Sequence, residues 1–208
     1  MNFITNPDIE SYIYNLSVPR DPILLEMEEI GHETGFPIVD RIVGRLLYIL
    51  SKIKDPKLIV ELGSGFGYSG YWFAKALDKG KIVLTDLSPE NLNLAKKFFT
   101  AGNLLEKAEF KVGEAVEIAS MYKNIDILFI DIQKTKYKKA VETLKENLSI
   151  GGIIIADNTL WKGKVIEKNL DKQTKAIKEF NEYMFSLENF FSVILPVRDG
   201  VLVSYKIK

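Results

Sequence analysis

The chain has no cysteine and a single histidine among its 208 residues. Those shortages exclude thiol nucleophiles, zinc held by cysteine or several histidines, and iron–sulfur clusters. His32, in "EEIGHETGF", reads as a surface or capping residue at a polar helix end. Any metal must then be held by oxygen, which points to Mg²⁺, Mn²⁺ or Ca²⁺. Also missing is an apolar run near the roughly 20 residues that span a bilayer. The opening "MNFITNPDIE" shows no basic region followed by an apolar core, so neither a secretory signal nor a membrane partner is expected. A reducing cytoplasm is the expected home. Surplus charge is absent too: 28 basic and 28 acidic residues cancel, so no global field attracts nucleic acid, and only local patches could.

What is present has the composition of an ordinary globular protein, 47% hydrophobic and 27% charged. At this length a single domain over 1–208 is the expectation, with a helical N-terminal extension over 1–55 and a ligand-binding core over 56–208. In the extension, "NPDIESYIYNL", "DPILLEMEEIGHE" and "VDRIVGRLLYILSKI" have helical spacing, with Asp21 as a cap and Pro22 in the first turn. From Lys57 onward apolar strand-like runs alternate with helical segments: "KLIVEL", "KIVLTD", "AEFKV", "IDILFID" and "GGIIIAD". That pattern predicts a parallel sheet covered on both faces. "FFSVILPV" and "VLVSYKI", joined by "RDG", predict a closing antiparallel hairpin. Ligands of such a doubly wound α/β sheet bind beyond the carboxyl ends of its strands.

The stretch "LIVELGSGFGYSG" (Leu58 to Gly70) ends a strand in a glycine loop and supports two ligands. Gly65, Gly67 and Gly70 fit the dinucleotide fingerprint, whereas Glu61, Gly63, Gly65 and Gly67 fit E-x-G-x-G-x-G, a pattern for S-adenosylmethionine. Asp86, about 20 residues on, suits a ribose in either case. Glu61 separates them, because a carboxylate there repels a pyrophosphate and suits a sulfonium with an α-amino group. Glu61, Asp86, Asp131 and Asp157 each end a strand on one edge. Asp131 in "FIDIQK" and Asp157 with Asn158 in "IIADNTLWKG" offer two carboxylates and a carboxamide oxygen to one divalent cation. Lys134 follows beside them, and a lysine near a cation can take a proton from a substrate hydroxyl.

Through "GFPIVD", "VELGSGFGYSG", "TDLSPE", "VGEA", "FIDIQKTKY", "GGIIIADNTLWKGKV" and "LPVRDGVLV", the chain resembles the metal-dependent class I O-methyltransferases. That group includes catechol and caffeoyl-CoA O-methyltransferases and small bacterial relatives, among them tRNA 5-hydroxyuridine methyltransferases. The resemblance implies a Rossmann-like sheet of order 3-2-1-4-5-7-6 with strand 7 antiparallel, and often a homodimer. It implies that Asp131, Asp157 and Asn158 hold the metal, with Lys134 catalytic. It further implies that Val39, Glu61, Gly63, Ser64, Ser69, Asp86, Glu114, Ala115 and Asp131 contact S-adenosylmethionine.

The departures bear on the acceptor. Gln133 stands where relatives usually carry a second acid. Leu202 matches the substrate-binding glutamate of mammalian catechol enzymes. Arg198 replaces a common glycine and would add positive charge at the rim. A vicinal-oxygen acceptor is expected. 5-Hydroxyuridine in tRNA is favoured by lysines in "KTKYKK" and "WKGK"; a catechol-like or caffeoyl-CoA-like small molecule is the alternative. An NAD-dependent oxidoreductase and a non-catalytic adenosine-binding module are the remote alternatives.

Overall fold

The computed structural model describes residues 4–208; Met1, Asn2 and Phe3, inside the expected helical extension, lie outside the described residues. Three helices come first: α1 (Pro7–Leu16), α2 (Pro22–Thr34) and α3 (Arg41–Lys54). Their starts follow from side-chain caps. Asp21 accepts from Ile23 N at 2.9 Å, and Asp40 accepts from Ile42 N at 2.8 Å. Both satisfy amides that a helix start leaves orphaned. His32 is exposed in the last turn of α2, as its sequence context predicts.

The alternating region folds as β1 (Leu58–Leu62), α4 (Tyr68–Ala76), β2 (Lys81–Asp86), α5 (Pro89–Ala101), β3 (Ala108–Val112), α6 (Ala115–Ser120) and β4 (Ile125–Ile130). It continues with α7 (Tyr137–Leu144), β5 (Leu148–Ala156), α8 (Lys172–Ser186), β6 (Phe190–Leu195) and β7 (Val201–Lys206). The seven strands form one sheet of order 3-2-1-4-5-7-6, and β7 runs antiparallel to both neighbours. Successive residues of the central strands go to opposite faces. Ile59, Ile127 and Phe129 pack with α2 to α5, while Val60, Leu62, Leu128 and Ile130 pack with α6 to α8. Burial on both faces explains the near-continuous apolar strands.

Strand β5 begins at Leu148, earlier than the "GGIIIAD" run suggests, and its pairing with β4 shifts between Ile125 and Ile127. Helix α7 is preceded by a tight 3-10 turn over Lys134–Lys136. "WKGK" lies in a kinked 3-10 segment, Trp161–Ile166. Among the described residues no helix is long and apolar enough to cross a membrane.

Register sets the working edge. Leu62 pairs with Thr85 and with Ile130, and Ile130 pairs with Ala156. The residues that follow, Gly63, Asp86, Asp131 and Asp157, therefore stand in a row where the strand order reverses.

Candidate active site

Three neighbouring cavities run along this edge, of about 330, 460 and 480 Å³. The first two share Gly63, Asp86, Asp131 and Ile132; the second and third share Ile38, Val39, Asp157, Asn158, Lys162 and Asp199. Through these shared residues the three cavities join into one interrupted groove. The sheet edge brings every sequence-predicted site residue to this groove except Glu61, which lies beneath its floor.

Glu61 is fully buried on β1, and neither carboxylate oxygen has a hydrogen-bond partner. Burial pushes its carboxyl up to about 7, against a partial lowering by the nearby Ser69 and Ser64 hydroxyls. An unpartnered buried carboxylate is costly unless a cation meets it, so the position fits a positively charged ligand group. Above it, Ser64 and Ser69 line the middle cavity. Ser64 Oγ also accepts from Thr85 N at 3.0 Å, which ties the glycine loop to β2. Gly63 has a φ of +82°, and a Cβ there would come within 2.4 Å of the Asp131 carbonyl oxygen. Only glycine lets the two strand ends approach this closely.

Asp86 has a structural duty that the sequence did not reveal. Its Oδ2 accepts from Gly65 N at 2.9 Å, and its Oδ1 accepts from Ser88 N at 2.8 Å and Asn91 Nδ2 at 3.1 Å. The carboxylate thus fixes the glycine loop while lining both inner cavities. Ala115 and Glu114 line the innermost one, but the Glu114 carboxylate is already committed. It caps α6 through Val116 N at 2.8 Å and pairs with Lys136 at 3.0 Å.

Asp131, Asp157 and Asn158 line the middle cavity together. Asp157 is buried and its Oδ1 has no partner. Burial, reinforced by the Asp131 charge, holds its carboxyl well above the carboxylate range. Asn158 sits at φ +58°, a left-handed conformation that asparagine tolerates better than most residues. That turn ends β5 and leaves the carboxamide at the cavity. Among the described residues no three acids or histidines cluster as a metal site. The expected set has only two carboxylates and completes itself with Asn158. Two carboxylates and a carboxamide facing one cavity, one carboxylate with an orphaned oxygen, fit a divalent ion.

Lys134 is buried beside them. Its Nζ donates to Asp131 Oδ1 at 2.7 Å and to the Tyr137 hydroxyl at 2.6 Å. Tyr137, wholly buried, donates in turn to the Asp157 carbonyl oxygen at 3.1 Å. Burial and the two aspartates hold its phenol strongly protonated. Sequence reasoning missed Tyr137, whose spacing three residues after Lys134 was the available signal.

The outer cavity was hardly legible. Asp199 faces both outer cavities, accepts from Lys162 N, and burial raises its carboxyl. Its loop is stitched to the one after β5 by Thr159 N to Gly200 O and Leu160 N to Asp199 O, both 2.9 Å. Gly200, at φ +84°, allows that seam, since a Cβ would lie 2.5 Å from Leu160 Cγ. Leu202 is fully buried within β7 among the α7 and α8 side chains. Its side chain lines none of the three cavities. Arg198 does not present a spare charge at the rim either: it pairs with Glu10 at 3.2 Å and Asp40 at 3.1 Å.

A family model described as O-methyltransferase matches residues 15–207. Caffeoyl-CoA O-methyltransferase 1 of Nicotiana tabacum is 30% identical over 215 residues, covering 94% of this chain and 90% of that protein. A methyltransferase from Geobacter sulfurreducens has a crystal structure that superposes with a TM-score of 0.88 at 32% identity, over all of both chains. The O-methyltransferase from Bacillus cereus, in complex with SAH, shares the fold at a TM-score of 0.86 and 24% identity, covering 96% of this chain and 97% of its own.

Proposed function

This chain belongs to the O-methyltransferase family and is an S-adenosylmethionine-dependent enzyme of the caffeoyl-CoA and catechol-like class; from that premise we propose that it methylates a hydroxyl flanked by a vicinal oxygen, with the help of a divalent cation. Membership removes the NAD reading of the glycine loop. One observation carries the rest: two buried acids, Glu61 and Asp157, with unpartnered oxygens, under and within the middle cavity.

In this reading the donor lies over Gly63 to Ser69. Its ammonium and sulfonium lie toward Glu61, its ribose by Asp86, and its adenine reaches the cavity of Ala115. Val39 closes the cavity from the N-terminal side. Asp131, Asp157 and Asn158 hold Mg²⁺ or a similar ion, which when bound supplies Lewis-acid polarisation of the acceptor oxygen. Lys134, oriented by Asp131 and Tyr137, takes the proton of the acceptor hydroxyl. The oxygen then forms a bond to the methyl carbon as the carbon–sulfur bond breaks, leaving S-adenosylhomocysteine.

The acceptor we favour is a small aromatic with two adjacent oxygens, seated in the outer cavity. Charge pairing supports it over a polyanion, since Lys136 and Arg198 are matched by acids and Lys164 lies 3.7 Å from Asp171. The second reading, 5-hydroxyuridine in tRNA, draws on Lys162, exposed at the outer and middle cavities, and on Lys138 and Lys139, exposed on α7. A homodimer is also proposed. Phe191 and Tyr205 pair across β6 and β7 and are 74% and 50% exposed, an apolar edge that suits a second copy. Titration with S-adenosylhomocysteine and NAD, followed by turnover on catechols and on hydroxylated tRNA, tests the proposal. Preference for NAD, or methylation of tRNA alone, would overturn its respective halves.

A further inference from the structure

We propose that Arg198 is a latch that holds α1 down as the outer wall of the acceptor cavity, and so sets which acceptors the enzyme takes; this rests on the outer cavity being the acceptor site. Helix α1 buries none of its residues. It lacks the apolar stripe contact that normally fixes a surface helix, yet Glu10 on it, with Ile4 and Thr5 just before it, lines the cavity of Asp157 and Asn158. Polar ties keep it there. Arg198 Nη1 reaches Glu10 Oε2 at 3.2 Å, while Nε reaches Asp40 Oδ2 at 3.1 Å.

The two carboxylates differ in kind. Asp40 is fixed, because its Oδ1 caps α3 at 2.8 Å from Ile42 N. Glu10 rides on α1. Arg198 therefore bridges a rigid post and a loosely seated helix. At the far end α1 has separate ties: Tyr14 lies beneath the Arg41 guanidinium at 4.0 Å, and Ser17 O accepts from Arg45 Nε at 3.0 Å. Loss of the Glu10 pair would leave the cavity end with the long Thr5 Oγ1 to Pro196 O hydrogen bond of 3.4 Å, while the other end stays fastened. Arg198 sits at φ +51°, where glycine is at ease and arginine is strained. With one guanidinium between two acids, its charge is spent on the latch rather than left for an anionic ligand.

Hydrogen exchange across residues 7–12, with turnover of catechol and caffeoyl-CoA, tests the latch in the full chain. Glu10→Gln removes the mobile half; Arg198→Gly removes the whole latch and suits the left-handed backbone. Both should speed exchange in α1 by about fivefold, the scale of a partly exposed ion pair, and leave α3 unchanged. Both should raise the kcat/KM ratio of the bulky acceptor to the small one, with donor affinity unaltered. Unchanged exchange in both variants would overturn the latch, and faster exchange with unchanged acceptor preference would overturn its role in specificity. Absence of methyl transfer by the wild-type enzyme would instead overturn the proposed function, and exchange would still judge the latch.

Discussion

Lys134 Nζ lies 2.7 Å from Asp131 Oδ1, so the proposed base rests directly on a proposed metal ligand. The contact orients the amine. Tyr137 completes the clamp at 2.6 Å. Lys134→Met should lower kcat by about 10²–10⁴-fold, the usual worth of a positioned acid–base group. Donor affinity should stay within about twofold. Tyr137→Phe should cost about tenfold in kcat, the scale of one buried hydrogen bond. Rapid-quench turnover beside calorimetric donor binding separates these effects; a fall in affinity with normal kcat would make Lys134 a donor-binding residue.

Glu61 predicts a pH signature. Its folded-state carboxyl is raised from 4.5 to about 7, so the native state holds a proton that the unfolded chain has lost. Its contribution to stability is present below pH 4.5 and declines as pH rises through about 7. A cationic donor demands the ionised form, so affinity should rise over the same interval with proton release on binding. Thermal unfolding from pH 4.5 to 8, with calorimetry in buffers of different ionisation enthalpy, checks both. Glu61→Gln should flatten its share of the stability slope and abolish the proton release; a donor affinity independent of pH would contradict the assignment.

Asp157 should trade stability for binding. Its Oδ1 is buried and unpartnered, so at pH 8 Asp157→Asn should stabilise the metal-free protein by about 1–3 kcal/mol. The melting temperature then rises by roughly 2–4 °C per kcal/mol for a chain of this size. The same substitution should remove the stabilisation that Mg²⁺ or Mn²⁺ gives the wild type. A destabilised variant that still responds to metal would place the cation elsewhere.

Asp86 should matter even without ligand. Replacing it with Ala strips acceptors from Gly65 N, Ser88 N and Asn91 Nδ2. A loss of about 1–3 kcal/mol in stability is expected, along with weaker donor binding. Denaturant melts and S-adenosylhomocysteine titration measure the two losses. Weaker binding with unchanged stability would assign Asp86 to the ligand alone.

The inner half of the site was readable because its signals are local. A strand, a glycine loop and an acid at the next strand end imply their own geometry, and register then aligns Asp86, Asp131 and Asp157 without further information. The outer half was not, because it is made by contacts between distant segments. Asp199 reaches the groove only when β7 inserts between β5 and β6 and brings its loop against Leu160. Arg198 finds Glu10 and Asp40 across 188 residues in one case, a pairing that no spacing rule predicts. Position 202 shows another limit: a shift of one residue changes which face of a strand a side chain occupies, and the burial of Leu202 followed only from the sheet register. Glu114 and Asp86 line the groove, and their hydrogen bonds to backbone amides lay beyond a linear reading.

In the proposed reaction a cation held by Asp131, Asp157 and Asn158 would serve an acceptor with two adjacent oxygens. Label transfer from S-adenosylmethionine to catechol and to phenol, compared with Mg²⁺ and with EDTA, tests this. Methylated catechol is expected with Mg²⁺, with little product from phenol and a loss of catechol turnover in EDTA that added Mg²⁺ restores. Equal labelling of phenol and catechol, undiminished by EDTA, would contradict it.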